Sequence, residues 1–521
     1  MPLTKKKCYS KCRKKTESEC GPKICKYING KKYHYCRLGY KYKLDENCNI
    51  TRRKFKTKIT KKQAQLRINN FFHKIKTRKN KIDDAAKKIK TFMQKNRFKI
   101  KSRFLQSICS DSGICLAFGK NSVDIKLFFN NFTDFRYANA HLKRLGEPSN
   151  NGFVNEISFE REKYKAHSII KSSAKVFTDN LFYEYLCGLV INEWSLRFPC
   201  FLETYGLFLY KNNESWSKIK NNRITTVASF EKQVSLLNNN KLHFNSNLFE
   251  ELLKNSCLRS KHIAIMIQHL KNAVTLEDFF NNEINKNYFV NNDLVIFLFQ
   301  IYFPLHVLNN NFTHYDLHTS NVLLYKPYSN GYIHYHYILS NGKTIQFKSP
   351  YMIKIIDYGR SFFKNDAFNS KDILNKLCLT SECDPNCGGD YGFTWLNKTG
   401  PIRSQSYILS SVSNKSHDLR LLYIVKSNFK SFKIEKPQKN VFSLYNNLIK
   451  NLKYNTDYGT PEAKENKYPK YIETVSDAFK GLTDLLLDPE FINRNNIDTL
   501  NFLKIGDLYV YEDGRPMKFS N

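Results

Sequence analysis

One short polar segment between two apolar ones constrains the fold of this 521-residue chain more than any other feature. Residues 294–308 are apolar enough for a buried helix, and residues 322–324 are typical of a buried strand. Between them, residues 314–321 read H-Y-D-L-H-T-S-N, which places Asp316 and Asn321 on one tight loop. A carboxylate and an amide oxygen in this pattern can orient a hydroxyl group and bind a metal ion.

A second carboxylate follows a second apolar strand. Residues 353–359 read I-K-I-I-D-Y-G, so that a β-branched run ends at Asp357. Phosphoryl transfer needs a carboxylate for the acceptor hydroxyl, oxygen ligands for Mg²⁺ and a cation for the nucleotide phosphates. We therefore predict Asp316 as the catalytic carboxylate, and Asn321 and Asp357 as the metal ligands.

The cation is predicted upstream of both carboxylates. Residues 164–171 form a strand-like run that ends at Lys171, a residue suited to hold the α- and β-phosphates. Its acidic partner is expected on the following helix. Glu184 is the first candidate for this partner, and Glu193 is the alternative.

Two further segments are predicted to contact the nucleotide. Residues 145–154 form a glycine-containing loop whose backbone amides could approach phosphates. Its predicted contact residues are Gly146, Gly152 and Val154. Residues 263–270 form an apolar strand that would meet the adenine through its last residues, Gln268, His269 and Leu270.

These motifs occur in the order found in protein kinases, and over residues 140–430 the chain resembles a divergent member of the protein kinase-like superfamily. It is most similar to the kinase-like proteins of nucleocytoplasmic large DNA viruses. The resemblance implies an α+β, bilobal fold with a small β-rich N-lobe and a large helical C-lobe. It also implies ATP and Mg²⁺ as cofactors, and transfer of the γ-phosphate to Ser or Thr hydroxyls of a protein substrate.

The sequence leaves open which substrate accepts the γ-phosphate. His318 stands where the catalytic loop usually has Lys, a variant that also occurs in haspin-like kinases and in aminoglycoside or choline phosphotransferases, and the resemblance implies a catalytic role for it. The A-P-E motif of peptide-binding kinases does not occur between Gly359 and Asp418. A small-molecule kinase is therefore one alternative. A pseudokinase or virion protein with a nucleic-acid-binding extension is another.

The positive charge is concentrated at the N-terminus. Residues 1–110 hold 35 Lys and Arg against 6 Asp and Glu, which is +29 of the formal charge of +38. Such a segment is expected to bind nucleic acid or another polyanion. Six of the 14 cysteines lie in the first 50 residues, and zinc binding, disulfides and free thiols all remain open for them.

We predict five segments from these patterns. They are a Cys-rich basic module (1–50), basic amphipathic helices (51–105), a kinase-like N-lobe with an insertion near 211–262 (106–270), a C-lobe (271–480) and a C-terminal tail (481–521). The first residues resemble no signal peptide, and no apolar run reaches the ~20 residues that span a bilayer. The predicted location is the cytoplasm, meaning the host cytoplasm or the virion if the protein is viral, and not the secretory pathway.

Overall fold

The structure of the chain is a computed structural model that divides into two units, Met1–Lys95 and Asn96–Asn521. The residues that it describes are 25–29, 34–38, 42–44, 50–52, 108–109, 115–116, 118–148, 152–162, 164–174, 181–237, 247–256, 262–282, 288–377, 393–396, 405–408, 410–429, 448, 472–494 and 502–520.

The first unit contains two short antiparallel hairpins. Strands β1 (Cys25–Asn29) and β2 (His34–Leu38) form one of them, and β3 (Tyr42–Leu44) and β4 (Ile50–Arg52) form the other. The amphipathic helices were predicted within residues 51–105. Of these residues the structure describes only 51 and 52, which belong to β4. The chemical state of the N-terminal cysteines, and with it the predicted zinc, also lies outside the described part.

The second unit contains a six-stranded antiparallel sheet in the order β11-β10-β12-β9-β8-β7. Before it come β5 (Ile108–Cys109), β6 (Cys115–Leu116), α1 (Asn121–Phe128) and a 3₁₀ turn (Asn130–Phe132). The sheet strands are β7 (Ala138–Leu145), β8 (Gly152–Arg161), β9 (Tyr164–Ser173), β10 (Thr204–Tyr210), β11 (Val234–Leu237) and β12 (Ile263–His269). Between them lie α2 (Leu181–Trp194), α3 (Asn213–Lys220), α4 (Val227–Glu231) and α5 (Asn247–Lys254).

Both faces of this sheet are covered, which explains the continuous apolar sequence of β12. Ile265 on one face belongs to the core that contains α2, whereas Met266 on the other face packs with α1 and α4. Strands buried on both sides lose the alternation that normally marks a half-exposed strand. The apolar residues that precede β10, from Phe198 to Leu202, are core residues outside the named strands.

The rest of the second unit is built around one fully buried helix. The described elements begin with β13 (Val274–Thr275), α6 (Leu276–Asn282), a short π-helix (Phe289–Asp293), α7 (Leu294–Val307), β14 (Phe312–Thr313) and a 3₁₀ turn (Thr319–Asn321). Next come β15 (Val322–Tyr325), β16 (Gly331–Ile338), β17 (Thr344–Ser349), β18 (Met352–Ile355), β19 (Phe362–Phe363) and α8 (Ser370–Leu374). They are followed by β20 (Phe393–Leu396), β21 (Gln405–Ile408), a 3₁₀ turn (His417–Leu419), α9 (Arg420–Phe429), α10 (Val475–Leu486), α11 (Pro489–Arg494), β22 (Leu503–Tyr511) and β23 (Lys518–Ser520). Twelve consecutive residues of α7, from Leu294 to Leu305, are buried, as expected for a helix that is apolar on all sides.

A second sheet, in the order β17-β16-β22-β23, joins distant parts of the sequence. Strand β16 lies in a segment between β15 and β18, and it pairs in parallel with β22 near the C-terminus. The segment predicted as a C-terminal tail therefore contributes two strands to a sheet. The described chain has a mixed α+β architecture with mainly antiparallel sheets, and no helix in it is long and apolar enough to cross a membrane.

Candidate active site

The loop of residues 314–321 is anchored by one buried carboxylate. The backbone amides of His314 and Tyr315 donate hydrogen bonds of 2.7 and 3.0 Å to the two carboxylate oxygens of Asp418. Burial raises the pKa of Asp418 to about 7, although the two amide donors favour its charged form. Tyr315 has a φ of +63°, a sparsely populated backbone conformation for a non-glycine residue that the anchored loop has to maintain.

The His314 side chain joins this loop to the end of β18. Its Nε2 donates to the carbonyl oxygen of Ile356 at 2.9 Å, and its Nδ1 accepts from the backbone amide of Asp316 at 3.3 Å. This pattern requires a neutral imidazole with one donor and one acceptor nitrogen. Burial lowers the pKa of His314 to about 4, which keeps the ring in that form at neutral pH.

The low pKa of His314 predicts a pH-dependent contribution to stability. The unfolded chain takes up a proton near pH 6.5 whereas the folded chain takes it up near pH 4, so this contribution is complete above pH 6.5 and is lost as the pH falls to 4. We expect His314→Gln to reduce the pH-induced loss in the free energy of unfolding across this window by about 3 kcal/mol. Denaturant unfolding at several pH values measures this difference.

The matched control for this prediction is His141→Gln, which replaces an exposed histidine in β7. Its loss of stability between pH 6.5 and 4 should equal that of the native protein. An equal loss in His314→Gln would show that His314 is not the group that titrates.

The carboxylate of Asp316 lies among three basic side chains. Arg420 donates to its Oδ1 at 2.8 Å, and His318 Nε2 lies 3.8 Å from the same oxygen. A nitrogen of Arg360 is 4.0 Å from Oδ2. The side chain of Asp316 is 19% exposed, so it remains accessible while these neighbours restrict its orientation.

Asn321 and His318 complete the loop. Asn321 Nδ2 donates to the carbonyl oxygen of Asp316 at 2.9 Å. This hydrogen bond orients the side-chain amide of Asn321, so that its oxygen Oδ1 is directed away from the contact. The carbonyl oxygen of Asn321 accepts from the amide of Ile356 at 3.0 Å and so fixes the loop against the end of β18. His318 Nδ1 accepts from the amide of Ser320 at 3.3 Å, and burial lowers the pKa of the His318 ring.

Lys171 connects the first sheet to Asp357. Its Nζ donates to Glu184 on α2 and to Asp357 after β18, both at 2.8 Å. The Glu184 side chain is 3% exposed, whereas that of Asp357 is 47% exposed. The positive charge of Lys171 is the main cause that lowers the pKa of Asp357 to about 2, so this carboxylate is ionised. Glu193, the alternative partner of Lys171, instead accepts from Asn365 at 3.1 Å.

The structure describes residues 145–148 and 152–154 of the glycine-containing loop, and the second of these parts lies beside Lys171. Gly146, just after β7, has a φ of +63°, and among the described residues beyond its two chain neighbours no atom lies within 4 Å of the place where a Cβ would be. A Cβ on Gly152, at the start of β8, would lie 2.9 Å from the carbonyl oxygen of Ser172, so only glycine fits there without a shift of the backbone. Val154 lies opposite Lys171 in the pairing of β8 with β9.

The predicted adenine-binding segment forms the end of β12 and the residue that follows it. The amide of Gln268 already donates to the carbonyl oxygen of Glu203 at 2.8 Å, so a base would meet other backbone groups of this segment. His269 pairs with His167 of β9, whose Nδ1 lies 2.7 Å from the buried Glu156 carboxylate. Leu270 is buried and follows the strand.

The structure therefore brings the predicted side chains together in two groups that are linked through Ile356. One group is the ion-paired set of Lys171, Glu184 and Asp357, and the other is the 314–321 loop. Sequence reasoning missed Arg420, because its contact with Asp316 joins positions that are 104 residues apart. Cys378, Cys383 and Cys387, which follow the candidate metal ligand Asp357 in sequence, lie outside the described residues.

Comparisons with known proteins identify no family. No family description and no curated protein matches the chain. Among solved structures, it is similar to WaaP in complex with acyl carrier protein, at 12% sequence identity and a TM-score of 0.23. That similarity covers 50% of this chain and 76% of WaaP. A TM-score of this size supports no conclusion on fold or activity, so the functional assignment depends on the geometry of the site.

Proposed function

We propose that this chain is an ATP- and Mg²⁺-dependent phosphotransferase with a protein kinase-like, bilobal arrangement. The observation that carries the proposal is the position of Lys171, 2.8 Å from both Glu184 and Asp357, on the sheet that ends beside the loop of Asp316. In a kinase site, one such lysine pairs with a helix glutamate and faces the metal-binding aspartate. These contacts join one lysine to carboxylates that lie 13 and 186 positions away in sequence, which is the three-residue arrangement that a kinase site requires.

The oxygen groups of the site suit Mg²⁺. Asp357 provides an ionised carboxylate that is half exposed, and Asn321 provides an amide oxygen from a fixed loop. Mg²⁺ prefers such oxygen ligands, usually one or two from the protein with the rest from phosphates and water. When bound, the ion neutralises phosphate charge. Lys171 would hold the α- and β-phosphates, and the backbone amides of Gly146 and Gly152 would approach them.

Asp316 would orient the acceptor hydroxyl and accept its proton. Its backbone is fixed through the neighbouring amides on Asp418, and its carboxylate is oriented by Arg420. His318 and Arg360 line the same carboxylate and would contact the transferred phosphoryl group or the acceptor. We propose Ser or Thr hydroxyls of a protein as the acceptor. A small-molecule hydroxyl and a non-catalytic, nucleotide-binding protein are the outcomes that the following test separates.

Asp357→Asn should lower the rate of γ-phosphate transfer about 100-fold or more, because it removes the charged metal ligand that also contacts Lys171. It should also abolish the Mg²⁺-dependent part of the stabilisation that ATP gives in thermal unfolding. The measurement is transfer of labelled γ-phosphate to a mixed Ser/Thr peptide library and, separately, to aminoglycosides and choline.

Asp366→Asn is the matched control, because Asp366 is an exposed aspartate in the same segment. It should behave as the native chain. Transfer only to the small molecules would move the assignment to a small-molecule kinase. Stabilisation by ATP without any transfer would indicate a pseudokinase, and absence of nucleotide binding by the native chain would refute the proposal.

A further inference from the structure

A cluster of metal-ligating side chains lies on the second sheet, apart from the candidate active site. His334 and His336 alternate along β16 and therefore point to the same face of the sheet. Asp507 lies on β22, directly opposite His334 in the parallel pairing of the two strands. The cluster thus combines two segments that are more than 170 residues apart in sequence.

The ligand atoms of these three residues converge. His336 Nε2 lies 2.9 Å and His334 Nδ1 lies 3.3 Å from the same oxygen, Oδ1 of Asp507. All three ligand atoms lie within 4.8 Å of one another. Ligands at the Zn–N and Zn–O distances of a tetrahedral site would be about 3.4 Å apart, so small side-chain rotations suffice.

Neighbouring side chains restrict the orientation of the three residues. The His336 ring stacks on Tyr509 with centroids 4.6 Å apart and an interplanar angle of 13°. Lys504 holds the other carboxylate oxygen of Asp507 at 2.8 Å, which leaves Oδ1 directed at the two imidazoles. A fixed ring and a second hydrogen bond on the carboxylate are the supports that metal ligands usually have.

We propose that His334, His336 and Asp507 form a binding site for Zn²⁺. Two imidazole nitrogens and one carboxylate oxygen suit Zn²⁺, whereas Mg²⁺ prefers oxygen ligands alone. Three protein ligands leave the fourth position to water, and side-chain exposures of 12 to 21% allow an ion to enter. The bound ion would fasten the C-terminal strand β22 to the β16–β17 hairpin. This site does not depend on the proposed phosphotransferase activity.

The test is a titration of the full-length, chelator-treated chain with Zn²⁺ in competition with a chromophoric chelator, without nucleotide. We expect the native chain to bind one more equivalent than His334→Gln, His336→Gln or Asp507→Asn, each of which should weaken this site about 100-fold or more. Lys504→Gln should weaken it about tenfold, because it removes only the supporting hydrogen bond. His141→Gln, an exposed histidine elsewhere, should leave the count unchanged.

Co²⁺ substitution distinguishes this site from the N-terminal cysteines. Thiolate ligands produce charge-transfer absorption in the near ultraviolet, and the His/Asp site should contribute only visible d–d bands. Loss of those visible bands in His336→Gln, with the thiolate absorption retained, would support the proposal. Thermal unfolding of the metal-free variants should match that of the native chain, since the three residues lie on the solvent-facing side of the sheet. An unchanged number of equivalents in all three ligand variants would overturn the proposal.

Discussion

Asp316→Asn is expected to lower the turnover number of phosphoryl transfer about 1000-fold while the affinity for ATP stays within about twofold of the native value. The substitution preserves the size of the side chain but removes the group that would accept the acceptor's proton. The proposed nucleotide contacts lie elsewhere, on Lys171 and Asp357, and those residues keep their partners. Initial rates at saturating ATP measure the first effect, and equilibrium ATP binding measures the second.

The ion pair between Asp316 and Arg420 requires a second variant in this experiment. Asp316→Asn also removes the negative charge from the 2.8 Å contact with Arg420, so that a loss of activity could arise from a weakened loop. Arg420→Gln breaks the same contact but keeps the carboxylate, and it should lose far less activity than Asp316→Asn. Equal losses in both variants would assign the effect to the ion pair. Asp372→Asn, in an exposed position on α8, provides the background value.

The candidate site residues that could be predicted from the sequence share one property. Each of them lies next to a helix or strand that the local hydrophobic pattern reveals. Asp357 ends an apolar strand, Lys171 lies near the end of another, and the 314–321 loop follows a helix with no polar face. Strand and helix periodicity places such residues without knowledge of the fold. Arg420 could not be assigned in this way, because it lies 104 residues after Asp316 in sequence. Its contact with Asp316 depends on how α9 packs against the loop.

The second sheet shows the same limit for the fold. Residues 503–511 have a strand-like pattern, yet they were predicted as part of a tail because nothing local indicates pairing with β16. The partner of β22 is the hairpin of β16 and β17, which lies more than 150 residues earlier in the sequence. Parallel pairing between distant segments is determined by tertiary packing, so the cluster of His334, His336 and Asp507 becomes visible only in three dimensions.

The second large effect is expected at the ion pair of Lys171 and Glu184. Lys171→Met should lower the free energy of unfolding by about 2 to 3 kcal/mol, because it removes the 2.8 Å contact between the Lys171 cation and the buried Glu184 carboxylate. This value is below the 3 to 5 kcal/mol of fully buried pairs, since Lys171 is 19% exposed and partly screened by solvent. The same variant should lose about 100-fold or more in phosphoryl transfer. Denaturant unfolding and initial rates measure the two effects.

The double variant Lys171→Met/Glu184→Gln separates structure from function at this pair. Neutralising Glu184 removes the buried negative charge that Lys171 balances in the native chain, so we expect most of the lost stability to return. Asp357 is exposed enough for water to replace Lys171. Activity should stay as low as in Lys171→Met, because the proposed phosphate-binding cation is still absent. Recovery of activity together with stability would mean that Lys171 serves only the fold. Stability that does not return would mean that the buried carboxylate is not what makes the single variant unstable.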